Sequence, residues 1–208
     1  MIDAIGFDLD GTLWNSVQQV TQAYNIVRDR ENLPHVTEEQ VAGIMGKQFE
    51  GVAADLNPGL EWEACLELHR KECDFENTYL LDHPGTLYPG VTKTLQQLAK
   101  TYKLFLVSNC QEGYEIPFLN LPGIRGLFCD HETAGRTGLS KGENIRLVME
   151  RQGIRSALYI GDTTGDMNAA REAGVRFFHA AYGFGAVPAG TPAITALSEL
   201  ITQIKEID

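Results

Sequence analysis

Two carboxylates at the end of an apolar run are the residues whose types and spacing best suit chemistry. Residues 5–13 read IGFDLDGTL, so Asp8 and Asp10 follow directly on this run. Such a run is typical of a central parallel strand that is buried on both faces. Because strand side chains alternate in direction, both acids can point into one crevice at the carboxyl end of the strand, where open parallel sheets bind ligands.

Two acids this close together need a positive partner, because like charges repel and burial disfavours ionisation. Oxygen ligands favour a hard cation such as Mg²⁺, which commonly binds one or two carboxylates together with a substrate phosphate. The alternative is a surface strand that ends in an acidic turn. The Gly11-Thr12 pair that follows, and polar residues at later strand ends, favour the ion site.

A second predicted strand also ends in polar residues. Residues 103–107 (KLFLV) are followed by Ser108 and Asn109, whose hydroxyl and amide groups can donate hydrogen bonds to phosphate oxygens. The alternative is an ordinary transition from strand to turn. Further along, Lys141 opens a predicted helix over residues 141–152, although a cation at a helix N-terminus opposes the helix dipole. That unfavourable position indicates that Lys141 has a function other than stabilising the helix.

A third strand, predicted near residues 157–161, ends at Asp162. If the next helix begins near Thr164, Asp162 and Asp166 lie about one turn apart and can face the same site. The competing explanation for Asp166 is structural, because Thr163 and Asp166 have the spacing of a capping box. That explanation leaves Asp162 unaccounted for.

In this order, the four segments resemble the four motifs of the haloacid dehalogenase (HAD) superfamily, and in particular its phosphoglycolate phosphatase-like group with a helical cap. DLDGTL at residues 8–13 resembles the first motif, in which phosphatases and phosphomutases carry the second Asp that dehalogenases usually lack. Ser108 matches the second motif and Lys141 the third. GDTTGDMNAAREAG at residues 161–174 closely resembles the fourth.

The resemblance implies an aspartyl-phosphate mechanism with Mg²⁺ as cofactor. Asp8 would be the nucleophile, Asp10 the general acid and base, and Lys141 the partner of both Asp8 and the phosphate. The metal ligands would be Asp8, the backbone carbonyl of Asp10, and Asp162, with Asp166 acting directly or through water. The remaining residues expected to contact phosphate or substrate are Gly11, Thr12, Ser108, Asn109 and Lys47, the last from between two helices.

The sequence departs from the family pattern in two places. The first lies in the region that sets substrate choice and the second affects the backbone match after Lys141, so neither removes an expected catalytic residue. Relatives often have Asp-Ser one residue after the first motif, whereas Asn15 stands in place of that Asp here, between a bulky Trp14 and Ser16. Many relatives follow the motif Lys with Pro, whereas Gly142 stands here. We therefore expect the phosphatase chemistry to transfer, but not the name phosphoglycolate phosphatase.

The predicted fold is α/β, a Rossmann-like parallel sheet with helices on both faces and an inserted all-α cap. Helices are predicted over residues 16–32, 37–45, 49–56 and 60–79, and no strand pattern interrupts them. A βαβ crossover needs only one helix, so this block predicts a cap domain at residues 15–84 and a core domain at residues 1–14 and 85–208. The core continues with a helix at 91–101, strands at 126–129, 176–180 and 193–194, a loop near the site at 182–185, and a final helix at 198–207.

Composition limits the partners. A net charge of −11 and a pI of about 4.9 oppose binding to nucleic acid or to an anionic membrane. The expected partner is therefore a small phosphorylated metabolite. No apolar run is long enough to cross a membrane and the N-terminus lacks the features of a secretory signal, so a cytoplasmic location is expected. The four scattered cysteines show no metal-binding spacing.

Three alternatives to a Mg²⁺-dependent phosphatase remain open at this stage. A sugar phosphomutase of the same family would return the phosphoryl group to the substrate instead of to water. A phospho-accepting regulatory domain would also use Asp, Ser or Thr, Lys and Mg²⁺, but it would lack the large helical insertion. A catalytically silent binding protein would not need to retain every motif residue.

Overall fold

The computed structural model of the chain describes residues 2–207. Its strands and helices follow one another in this order: β1 (Ala4–Phe7), β2 (Trp14–Asn15), α1 (Val17–Arg30), α2 (Glu38–Ala42), α3 (Phe49–Leu56), α4 (Trp62–Asp82), β3 (Thr86–Leu87), α5 (Val91–Leu98), β4 (Lys103–Ser108), α6 (Ile116–Leu119), β5 (Phe128–Thr133), α7 (Ala134–Thr137), α8 (Lys141–Gln152), β6 (Ala157–Gly161), α9 (Thr164–Ala173), β7 (Arg176–Ala180), β8 (Ala193–Ile194), a short 3₁₀ helix (Leu197–Glu199) and α10 (Leu200–Ile207).

Six parallel strands form the central sheet, in the order β5-β4-β1-β6-β7-β8. Counted along the chain, this is the 3-2-1-4-5-6 order of a doubly wound Rossmann-like sheet, with helices on both faces. After β1 the chain adds β4 and β5 on one side, and it then returns to add β6, β7 and β8 on the other. The strand order reverses beside β1, so the ligand crevice of such a sheet lies at its carboxyl end. The predicted fold class is confirmed.

Strand register places the polar residues at one edge of this sheet. Phe7, the last residue of β1, pairs with Leu106 on β4 and with Ile160 on β6. The backbone N–H of Asp8 then donates to the carbonyl oxygen of Ile160 at 2.9 Å. Because the three strands end at nearly the same level, the residues that follow each of them project into a common crevice.

Strand β1 is buried on both faces, as the apolar run predicted. Ile5 and Phe7 belong to one hydrophobic cluster, whereas Ala4 belongs to a second cluster with Phe105 and Tyr159. Burying a large apolar side chain contributes about 1.5–3 kcal/mol, so these two layers hold the base of the crevice rigidly.

Helices α1 to α4 occupy the stretch for which only helices were predicted. The bounds of α3 agree with the prediction, and α2 begins after Thr37 with the expected capping box between Thr37 and Gln40. The sequence did not reveal the two-stranded antiparallel ribbon of β2 and β3 that joins the two ends of this block. Strands of two residues are too short to show a periodicity. The division into a core domain and a cap domain at residues 15–84 stays a prediction.

Strand β5 is the clearest difference from the predicted elements. It covers Phe128–Thr133 rather than residues 126–129, because its polar second half lacks an apolar pattern. Asp130 and Glu132 are paired with Arg151 on α8, and Glu132 also with Arg136, which explains how an acidic strand is tolerated at the sheet edge. The short helices α6 and α7 were also not predicted. Within residues 2–207, no helix combines the length and apolar character that a membrane span requires.

The first prediction concerns Gly6 in the middle of β1. A Cβ atom at this position would overlap the ring of Phe105 and lie 2.8 Å from Cδ2 of Tyr159. We expect Gly6→Ala to lower the free energy of unfolding by about 1–3 kcal/mol, the usual cost of overpacking a core. Urea denaturation measures this change.

Gly51 provides the matched control, because it is exposed on α3 and an added Cβ would approach Lys47 no closer than 3.9 Å. Gly51→Ala should leave stability unchanged or raise it by up to about 1 kcal/mol. An unchanged unfolding midpoint for Gly6→Ala would contradict the packing described for β1.

Candidate active site

Three buried carboxylates meet at the carboxyl edge of the sheet. Asp8 follows β1, Asp162 follows β6, and Asp166 lies in the first turn of α9. Each is at most 2% exposed, and each offers an oxygen atom within 4.8 Å of the other two. The structure therefore brings together the acids that the sequence placed at separate strand ends.

Lys141 neutralises part of this acidic cluster. Its Nζ donates to Oδ1 of Asp8 at 2.8 Å and to Oδ1 of Asp166 at 2.6 Å. Burial lowers the pKa of Lys141, but the carboxylates of Asp166 and Asp8 outweigh burial and hold this pKa well above its ordinary value. A capping box between Ser140 and Glu143 begins α8 at this residue, which fixes where the lysine side chain starts. These partners explain why a cation stands at a helix N-terminus.

One ammonium group does not balance three carboxylates. Burial and the charge of Asp166 raise the pKa of Asp8 well above its usual range, despite Lys141. Burial and Asp166 likewise raise the pKa of Asp162 to about 6. Oδ1 of Asp162 is buried and has no hydrogen-bond partner. An unpartnered buried oxygen in a cluster with excess negative charge fits a divalent cation with oxygen ligands.

Asp166 satisfies both explanations that the sequence left open. Its Oδ2 accepts hydrogen bonds from the backbone N–H and the hydroxyl of Thr163, which completes the capping box of α9. Its Oδ1 accepts from Lys141. Asp166 is thus a helix cap and a member of the acidic cluster at once.

The loop at residues 182–185 lies against the site, as predicted. The backbone N–H groups of Phe184 and Gly185 donate to Oδ2 of Asp162 at 2.7 and 3.2 Å. Gly11 is required on the opposite side, because it has a φ of +79° and an added Cβ would lie 2.6 Å from Cγ of Asp162. These contacts orient Asp162 and leave its other oxygen open.

Asp10 has a separate set of partners, which the sequence did not reveal. Its Oδ1 accepts hydrogen bonds from Nε1 of Trp14 at 2.9 Å, the hydroxyl of Ser16 at 2.6 Å and the hydroxyl of Tyr114 at 2.8 Å. Burial raises the pKa of Asp10, and the donors from Ser16, Tyr114 and Trp14 act in the opposite direction. Trp14, one of the residues that depart from the family pattern, therefore helps to hold this acid in place.

The side chains expected to contact phosphate differ from one another in their hydrogen bonding. The hydroxyl oxygen of Thr12 is fully buried and has no partner, whereas Ser108 and Asn109 line the cavity above Asp8. Nδ2 of Asn109 donates to the carbonyl oxygen of Gly46 at 2.9 Å, and its Oδ1 is unpartnered. Lys47 also lines the cavity, but its ammonium group is paired with Asp55.

Several cavity residues were missed at the sequence level, chiefly Tyr24, Glu76, Gln111 and Tyr114. One of them could have been identified from the sequence. Glu76 falls on the buried stripe of α4, four residues before the apolar Leu80, where a helix would normally place another apolar residue. An acid on the buried face of an amphipathic helix is unusual enough to mark a site.

The fold and this edge of the sheet define a doubly wound α/β enzyme with an acidic, lysine-paired centre. The family model described as haloacid dehalogenase-like hydrolase matches residues 5–180. The chain belongs to this family.

Individual relatives align with this chain over most of their length. A phosphoglycolate phosphatase of Vibrio vulnificus (strain CMCP6) is 30% identical over 197 residues, which cover 88% of this chain and 85% of the relative. One of Vibrio parahaemolyticus is 29% identical over 219 residues, covering 96% and 95%. The crystal structure of a predicted phosphoglycolate phosphatase from Haemophilus somnus 129PT has the same fold, with a TM-score of 0.83, 24% identity and 98% of each chain covered.

The second prediction tests the cation. Saturating Mg²⁺ at about 100 times its dissociation constant should stabilise the protein by about 2.7 kcal/mol, a rise in Tm of roughly 5–10 °C for a chain of this size. Asp162→Asn should abolish this rise. It should also make the metal-free protein more stable than the wild type, because it removes one of the repelling carboxylates while it keeps an oxygen for the backbone donors.

Differential scanning calorimetry measures both effects, with KCl at matched ionic strength as the salt control. Asp82→Asn, which changes an exposed acid at the end of α4, should keep the full Mg²⁺ effect. If Asp162→Asn retained the full rise in Tm, the ion would have to bind elsewhere.

Proposed function

We propose that this haloacid dehalogenase-like phosphatase hydrolyses a small organic phosphate monoester, of the phosphoglycolate or sugar phosphate kind, through an aspartyl-phosphate on Asp8. Mg²⁺ is the proposed cofactor. The observation that carries the proposal is the ion pair of Asp8 with Lys141, set beside Asp162, whose unpartnered oxygen faces a cluster of excess negative charge.

In the first half-reaction, the carboxylate of Asp8 attacks phosphorus, and the bond from phosphorus to the leaving oxygen breaks. Asp10 gives its proton to that oxygen, so the alcohol leaves neutral. In the second half, Asp10 takes a proton from water, and the resulting nucleophile attacks phosphorus. The bond to Asp8 then breaks, and inorganic phosphate leaves.

The other site residues stabilise charge on the transferring group. Lys141, the buried hydroxyl of Thr12, Gly11, Ser108 and Asn109 are the proposed contacts of the phosphoryl oxygens. The proposed metal ligands are Asp8, the Asp10 carbonyl oxygen and Asp162, with Asp166 in support. Bound there, Mg²⁺ would offset the repulsion between Asp8 and the anionic phosphate.

The position of Asp10 suits an acid that must hold a proton at neutral pH. Asp10 is 8% exposed, and burial raises its pKa. Burial and Asp166 raise the pKa of Asp8 as well, but Lys141 opposes that rise, and a bound Mg²⁺ would oppose it further, which favours the ionised nucleophile. The two acids of the first motif therefore have environments that match different roles.

The helical block is the proposed cap over this site. Contacts across the crevice join it to the core, including Asn109 with Gly46, Gln111 with Glu76, and Nδ2 of Asn77 with the carbonyl oxygen of Glu112. A cap in this position excludes bulk water from the phosphoryl group and supplies the contacts to the leaving group. Lys47 remains a proposed substrate contact at its rim.

The third prediction tests the nucleophile. Asp8→Asn should lower Mg²⁺-dependent phosphate release from an aryl phosphate by at least about 1000-fold, the scale expected when a covalent nucleophile is removed. Asp82→Asn should retain wild-type rates. In the wild type, a beryllium fluoride complex should bond to Asp8; bonding to another residue, or full activity of Asp8→Asn, would contradict the assignment.

The fourth prediction concerns Tyr114, a positioning residue for Asp10. Tyr114→Phe removes a donor that stabilises the ionised carboxylate, so the pKa of Asp10 should rise. Because the first half-reaction needs protonated Asp10, kcat/KM falls as pH increases through this pKa. The basic limb of the profile should therefore move to higher pH in the variant.

The profile is measured with an alkyl phosphate, whose leaving group depends on protonation. Tyr79→Phe removes a comparable hydroxyl on α4 that donates to Gln22, so it should leave the limb in place. A limb that stays in place or moves to lower pH in Tyr114→Phe would show that Asp10 is not the titrating acid.

A further inference from the structure

Asp8 and Asp10 share a cavity with polar residues from both the helical block and the core, which lie beside apolar side chains of the helical block. Glu76 and Tyr24 contribute to this cavity from α4 and α1, and Gln111 contributes from the loop after β4. Oε2 of Glu76 accepts hydrogen bonds from Nε2 of Gln111 at 2.6 Å and from the hydroxyl of Tyr24 at 3.4 Å. Glu76 is 2% exposed. We call these three residues the Glu76 wall.

We propose that the Glu76 wall binds the leaving group, and that this leaving group carries hydroxyl groups and no carboxylate. The preferred substrate class is therefore a sugar or polyol phosphate rather than 2-phosphoglycolate. This inference rests on the phosphatase function proposed above and names the substrate class of the same site.

Lys47 is the one lysine or arginine among the described residues that line the cavity, and its ammonium group is paired with Asp55 at the rim. This pairing argues against a carboxylate in the leaving group. Among the cavity-lining residues of the described chain, no unpaired cation faces the Glu76 wall.

A carboxylate held between Glu76 and Asp10 would lose its hydration without gaining a positive partner. An unpaired buried charge is costly, so such a carboxylate would bind weakly. The leaving group of 2-phosphoglycolate carries such a carboxylate.

A hydroxyl group fits the same wall well. Burial, with Asp10 and Glu72 adding to it, raises the pKa of Glu76 to about 8 against the opposing effect of Gln111. At neutral pH this carboxyl group therefore holds a proton for much of the time and can both donate and accept. Nε2 of Gln111 already donates to Glu76 and Asn77, and the hydroxyl of Tyr24 donates to Glu76, so the oxygen atoms of Gln111 and Tyr24 can accept from a substrate hydroxyl.

The Glu76 wall should discriminate strongly between leaving groups with and without hydroxyl groups. A site built to hydrogen-bond a substrate hydroxyl rejects analogues that lack it, because its own buried polar groups are left unpaired. We expect kcat/KM for the best hydroxylated substrate to exceed that for 2-phosphoglycolate by at least about 100-fold.

The experiment uses the full chain with Mg²⁺ and four kinds of phosphate ester: hexose and glycerol phosphates, 2-phosphoglycolate, phosphoethanolamine and an aryl phosphate. The highest kcat/KM is expected for a hexose or glycerol phosphate. A preference for 2-phosphoglycolate would overturn the inference, and so would a preference for phosphoethanolamine, which would indicate an ammonium site. Hydrolysis of none of them, the aryl phosphate included, would overturn the proposed phosphatase function and the inference with it.

Variants of Glu76 test the wall itself. Glu76→Leu should lower the ratio of kcat/KM for the hydroxylated substrate to that for 2-phosphoglycolate by at least about tenfold. Glu76→Gln keeps a donor and an acceptor and should stay within about threefold of the wild-type ratio. Glu63→Leu, an exposed position in the first turn of the same helix, should leave the ratio unchanged.

A ratio of two kcat/KM values does not depend on the fraction of protein that is folded. It therefore reports on the wall even if Glu76→Leu folds poorly. An unchanged ratio in Glu76→Leu would show that Glu76 does not contact the leaving group.

Discussion

The ion pair of Lys141 with Asp8 and Asp166 is the interaction on which the rest of this structure depends. Three carboxylates within a buried site repel one another, and burial together with Asp166 raises the pKa of Asp8 and that of Asp162. Lys141 connects β1 to α8 and α9 through this pair, so the charge balance also fixes the distances between three elements. Loss of one partner from a buried pair typically costs about 3–5 kcal/mol, which indicates how strongly the site and the fold are coupled.

The remaining negative charge is not a defect of this arrangement. The proposed function explains it, because a site that is to bind a divalent cation and then an anionic phosphate needs excess negative charge before the cation arrives. Asp162 illustrates this design, because two backbone N–H groups hold one of its oxygens while the other is left without a partner. Gly11 allows the turn after β1 to pass close to that carboxylate.

Asp10 connects the chemistry to the helical block. Its partners come from the turn after β1, from the start of α1 and from the loop after β4. Trp14 also packs edge-on against the rings of Tyr114 and Phe118, so the ribbon of β2 and β3 is held to the core beside the acid. The Glu76 wall continues this polar surface toward the proposed leaving group. Asp10 and the Glu76 wall therefore lie along one boundary between the two parts of the molecule.

The sequence by itself determined the α/β class, the parallel strands of the core and the helices of the block, because apolar periodicity and capping residues act over short distances. It also placed Asp8, Ser108, Asp162 and Lys141 at strand ends or helix starts, and the carboxyl ends of parallel strands meet at one edge. The polar second half of β5 and the ribbon of β2 and β3 were not predicted, since neither carries a periodic apolar signal. Only the tertiary structure decided which side chains surround Asp10 and which residues face Glu76. Those contacts join residues as far as 104 positions apart, and their geometry follows from how the elements pack rather than from any local pattern.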